Sequence, residues 1–114
     1  MNVTFQDLEA YLFHNYGHRA NEQSLFMKLV EEIGEVAEIL NKRSGRKKAD
    51  EEDLQAKLAN ELADVIHYTV AIAAINGIDL SDTIISKDKK ASIKYHHDIN
   101  LESFIASNDA SQND

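Results

Sequence analysis

The chain has 114 residues, 43% of them hydrophobic and 28% charged, a formal charge of −8, and neither cysteine nor proline. This length suits one domain with a modest core, and the composition is that of an ordinary globular protein. Disulfides, thiolate metal sites and cysteine nucleophiles are excluded, and the acidic balance disfavours nucleic acid polymers.

In chain order, the opening "MNVTFQDLEAYLF" has no basic n-region and no apolar h-region, so no signal peptide is expected. Thr4, with Asp7 three residues on, caps a first helix whose Phe5, Leu8, Leu12 and Phe13 have helical spacing. "NYGHRANEQS", 15–24, reads as a turn and a new cap, and a second helix follows from about Glu22 to Arg43. "SGRKKADEED", 44–53, is a charged loop, and the overlapping "RSGRKK", 43–48, reads as a surface loop rather than a lid over substrate. A third helix runs from about Glu52 to Asn76, with Gly77 as its stop. Its apolar run, Val65 to Ile78, is too short and too often interrupted to cross a membrane. "DLSD", 79–82, opens a fourth helix that reaches about Tyr95. One more turn is expected at 100–105, then a polar tail, 106–114, that is expected to be disordered. With few helix breakers and no strand alternation, the expected fold is a single all-α domain over 1–105. It is a bundle of four main helices, two of them long, and their narrow apolar stripes call for self-association to complete it.

The two long helices echo one another. Shifted by 29 residues, "LVEEIGEVAE" (29–38) falls on "LANELADVIH" (58–67), so Glu32 matches Glu61 and Glu35 matches Asp64. At about 100° per residue, Leu29, Ile33, Val36, Ala37 and Leu40 share one face, with Glu32 at its edge and Glu35 one step further round. Leu58, Leu62, Val65, Ile66 and Thr69 do the same on the third helix, with Glu61 at the edge and Asp64 beyond. Side by side, the helices bring these four carboxylates together, and Gly34 and Ala63 allow close approach there. Such a cluster repels itself unless a cation is held, and oxygen donors favour a hard ion: magnesium, with manganese as substitute.

At these residues the sequence resembles the MazG-like nucleotide pyrophosphohydrolases of the all-α NTP pyrophosphatase superfamily. Their E-E-x-x-E motif, spacer and E-x-x-D stand here as Glu31-Glu32-Ile33-Gly34-Glu35, residues 36–60 and Glu61-Leu62-Ala63-Asp64. "KDKKASIKY" (87–95) is similar to the lysine-rich closing segment, although Ala91 replaces an asparagine often found there. The resemblance covers about residues 20–95 and implies magnesium-dependent hydrolysis of a nucleoside triphosphate to a monophosphate and pyrophosphate. It further implies house-cleaning of the nucleotide pool, with deoxynucleotides such as dCTP as substrates by analogy. Glu32, Glu35, Glu61 and Asp64 match the metal ligands. Glu35 is also the candidate proton acceptor, and Glu31 and Glu38 are candidates to support it. Lys87, Lys90 and Lys94, with Tyr95 and Lys28, are candidate phosphate contacts. Lys28 also stands four before Glu32, the spacing of a helical ion pair.

Phe13, Tyr16, Phe26 and Tyr68 are candidate contacts to the base, with core or interface packing as their alternative role. His67 is expected in the core or an interface, and His96 and His97 at a helix end. A cytoplasmic homo-oligomer is expected, a dimer at least, with a tetramer as the larger assembly. Two other readings compete. Asp64-x-x-His67 faintly resembles half of a di-iron carboxylate bundle, but Glu38 occupies the place of the second histidine. A helical interaction or antitoxin-like module with no active site predicts that the four acids can become glutamine without functional loss.

Overall fold

The computed structural model describes residues 1–45 and 53–112. Among these the chain is helical without strands: α1 (Phe5–Tyr16), α2 (Glu22–Arg43), α3 (Leu54–Ile75), α4 (Leu80–Lys94) and α5 (Leu101–Gln112). The all-α expectation holds, with five helices rather than four main ones and a turn. α5 extends well past 105, through Gln112.

Short polar side chains start every helix. In α1, Thr4 Oγ1 accepts the Asp7 N–H at 3.0 Å and Asp7 Oδ2 accepts the Thr4 N–H at 3.4 Å, closing a capping box. Asn21, Asp53, Asp79 and Asn100 each accept a first-turn N–H, at 2.7, 3.0, 3.1 and 2.9 Å respectively. Each such cap contributes about 1 kcal/mol. Because Asp53 takes the cap, α3 begins at Leu54 rather than at Glu52, which is outside the described residues. Arg46, Lys47 and Lys48 of the "RSGRKK" segment are outside them too.

α3 and α4 end alike. Beyond α3, Gly77 has φ +67, and the Ile78 N–H reaches Ala73 O at 2.9 Å. Beyond α4, His96 has φ +57, and the His97 N–H reaches Ser92 O at 2.9 Å. Both are left-handed stops with a 6→1 bond, one made by glycine and one by histidine. His96 and His97 are thus helix-end residues as expected.

The chain forms two compact units, Met1–Ile78 and Asp79–Asp114. In the first, α3 packs against both α1 and α2. Leu12, Leu25, Ile39, Val70, Ala71, Ala73 and Ala74 are buried there. At 22 residues, α3 is long and apolar enough to cross a membrane by length and composition. Here it is the central helix of its unit. In the second unit α4 packs against α5. Asp88 Oδ2 accepts the Leu101 N–H at 2.6 Å, and Lys89 pairs with Glu102 at 3.1 Å.

The packed faces of the long helices differ from those expected. On α2 the buried and half-buried positions include Leu25, Leu29, Glu32, Val36 and Ile39. On α3 they include Leu58, Glu61, Val65, Tyr68 and Ile72. Glu32 and Glu61 therefore lie within the packed stripes, not at their edges. Ile33, Leu40, Leu62 and Ile66, expected in the seam, are about half exposed, at 51, 49, 46 and 50%. Gly34 is exposed too, and a Cβ built on it meets nothing within 4 Å, so it does not serve close helix approach. Each long helix carries two adjoining apolar stripes, and Ile33, Leu40, Leu62 and Ile66 lie on the more exposed one.

Candidate functional site

Glu32 reaches the packed stripe of α2 because it stands three residues after Leu29 and four before Val36. Glu61 has the same offsets from Leu58 and Val65 on α3, which is the 29-residue echo in space. Asp64, one turn after Glu61, is exposed beside it. One oxygen from each of Glu32, Glu61 and Asp64 lies within 4.8 Å of the others.

Three acids this close conflict electrostatically. Glu32 is pushed up from 4.5 to about 7, first by a hydrogen bond shared with Glu61, then by burial, then by the charges of Glu61, Asp64 and Glu31. A shared proton is how two carboxyls relieve repulsion without a cation. Glu61 Oε2 remains buried with no hydrogen-bond partner. Such an atom costs stability unless something positive meets it. An all-carboxylate donor set with an orphaned buried oxygen suits a hard divalent cation, so the residues present fit one.

Glu35, expected as a fourth ligand, lies outside this group. It is exposed and lines an open groove of about 410 Å³ with Glu31, Gly34 and Glu38. Lys28 pairs with Glu31 at 3.2 Å, an i, i+3 contact, rather than with Glu32. That hydrogen bond is the main reason the Lys28 ammonium is held above its usual pKa.

His67 accounts for a further feature. Its Nε2 lies 2.9 Å from Tyr16 Oη, and its ring meets Tyr16 and Tyr68 edge-on at 5.7 and 4.8 Å. Burial, then the nearby Tyr68 and Tyr11, raise the Tyr16 phenol pKa. His67 is thus committed to the α1–α3 contact and stands apart from the three carboxylates, against the di-iron reading. Tyr16 and Tyr68 take packing roles in the same cluster. Phe13 packs over Gly17, where a Cβ would meet Phe13 O at 2.6 Å. Phe26 is 54% exposed and lines an open apolar groove of about 570 Å³ with Glu22, Gln23, Met27 and Ile72.

Lys87, Lys90 and Lys94 are exposed on α4 of the second unit. The Lys94 ammonium sits 5.4 Å from the centre of the Tyr95 ring, which stacks on His97. Sequence reasoning missed the pairing of Tyr16 with His67, and it missed a pocket formed by His14, Asn15, His18 and Arg19. The signal for the pocket was present in the i, i+4 spacing of its two histidines, followed by arginine.

No curated protein matches the chain. The fold is similar to the crystal structure of iMazG from Vibrio DAT 722, in its Ntag-iMazG form, with a TM-score of 0.62 and 29% identity. That match covers 82% of this chain and 98% of the other. Residues 20–97 match the MazG nucleotide pyrophosphohydrolase domain, and Glu32, Glu61 and Asp64 all fall within them, so the chain belongs to that family.

Proposed function

We propose that this family member hydrolyses nucleoside triphosphates, deoxynucleotides such as dCTP in particular, to the monophosphate and pyrophosphate, with magnesium as cofactor and manganese as substitute. The observation that carries the reading is the convergence of Glu32, Glu61 and Asp64 around the unpartnered Glu61 Oε2. Bound there, magnesium supplies neutralisation of phosphate oxygens and acidification of a water molecule.

The chain's own residues divide the remaining work. Glu32, Glu61 and Asp64 hold the cation, and Glu32 gives up its proton to do so. Glu35, exposed one turn from Glu32, accepts the proton of the attacking water and is the candidate fourth ligand. Glu31, braced by Lys28, and Glu38 flank Glu35 in the same groove. By resemblance of segment 87–95, Lys87, Lys90, Lys94 and Tyr95 contact phosphate, as does Lys28. The cellular role is house-cleaning of the nucleotide pool in the cytoplasm.

The protein works as a homo-oligomer, at least a dimer. Val30, Ile33, Leu40, Leu62 and Ile66, each between 44 and 51% exposed, form apolar stripes of the kind that subunit contacts cover. The test of the reaction is phosphorus NMR of the protein with ribo- and deoxynucleoside triphosphates, with magnesium and then EDTA. Monophosphate and pyrophosphate should appear with magnesium alone, whereas diphosphate and orthophosphate would mean cleavage of a different bond.

A further inference from the structure

The end of α1 carries chemistry opposite in sign to that of the carboxylates. His14, Asn15, His18 and Arg19 line a pocket of about 310 Å³, and no acid is among its described lining residues. In a chain of net charge −8 that composition is unusual. The helical path continues past Tyr16: Gly17 has φ −52, its N–H donates to Phe13 O at 2.7 Å, and the Ala20 N–H donates to Tyr16 O at 3.0 Å. His14 and His18 are therefore one turn apart on one side. Phe13 keeps that turn in shape, covering Gly17 and meeting the His18 ring edge-on at 5.8 Å.

Two imidazoles, an amide and a guanidinium supply several N–H donors, and the guanidinium is always cationic. All four side chains are exposed; a metal ion would meet the Arg19 charge, whereas an oxyanion would meet N–H donors and a cation. The bond from Tyr16 to His67 fastens this turn to α3.

We propose that His14, Asn15, His18 and Arg19 form an oxyanion pocket that takes phosphate groups, those of the nucleotide before cleavage and of pyrophosphate after it. The assignment to this substrate rests on the reaction proposed above. The pocket itself can be tested without that reaction. The full chain is titrated with inorganic pyrophosphate in EDTA, and the imidazole signals of His14 and His18 are followed by NMR. Both should shift and saturate. Arg19→Ala should weaken the affinity about tenfold, and Arg19→Lys should restore part of it.

A second arm measures triphosphate hydrolysis with magnesium, where Arg19→Ala should raise KM about tenfold, a larger change than that in kcat. Loss through KM assigns the pocket to the nucleotide, and pyrophosphate binding without it assigns the pocket to the product. An active enzyme whose histidines do not respond to pyrophosphate, or respond equally in Arg19→Ala, overturns the pocket and leaves the reaction standing. Saturating histidine shifts in a protein without hydrolytic activity uphold the pocket and overturn the reaction.

Discussion

Seating a cation among Glu32, Glu61 and Asp64 has to displace a proton, and that proton can be counted. Glu32 is held at about 7 instead of 4.5, chiefly by its bond to Glu61. Metal binding needs the carboxylate, so it releases whatever proton Glu32 carries. A group with a pKa of about 7 carries about 0.9 proton at pH 6, 0.5 at pH 7 and 0.1 at pH 8. Magnesium titrations by calorimetry, in buffers of different ionisation enthalpy, should return those release numbers.

The same shift sets the stability of the metal-free protein. The folded pKa lies above the unfolded one, so between 4.5 and about 7 the folded state holds more protons than the unfolded state. This contribution to stability is full below 4.5 and is lost as pH rises through about 7. Thermal unfolding in EDTA should therefore show wild type losing ground to Glu32→Gln from pH 5 to 8. Magnesium should recover the loss in wild type alone. Zero proton release from pH 6 to 8, or parallel unfolding curves for the two proteins, would refute the shared-proton account.

Other positions give sharp expectations. Gly34 is exposed within α2 with open space around a built Cβ, so Gly34→Ala should stabilise the protein by about 1 kcal/mol, or about 4 °C in Tm. A loss of stability would mean that this groove is filled in solution. His96 holds a left-handed conformation that glycine adopts without strain, and His96→Gly should add about 1 kcal/mol in denaturant unfolding. Tyr16→Phe removes the partner of His67 Nε2 and should cost about 1–2 kcal/mol, with an unchanged denaturant slope.

Much of this molecule was legible before its fold was known. The bounds of α2 follow from the Asn21 cap and the closing Lys42 and Arg43. Gly77 marked the end of α3, and the matched acids on two long helices pointed to a cluster that the fold assembles from three of them. What could not be read was the choice between adjoining apolar stripes. Leu29 and Val36 serve either face of α2 equally well in a periodicity argument. Packing against α3 selects Leu25, Glu32 and Ile39 to join them and leaves Ile33 and Leu40 outside. α5 was underestimated for a related reason. Its residues are mostly polar, and it is held by Asp88 and Lys89, which are 13 residues away from their partners Leu101 and Glu102. The Tyr16–His67 bond spans 51 residues, a separation at which local sequence carries no signal.

The central claim is that the carboxylates around Glu61 Oε2 are the seat of a divalent cation. The most direct measurement is manganese binding followed by electron paramagnetic resonance, on wild type and on Glu61→Gln. The account predicts saturable binding in wild type that magnesium competes away. Glu61→Gln should lose that binding while gaining stability in EDTA, because one member of the repelling cluster is neutral. Equal manganese affinity in the two proteins would contradict it.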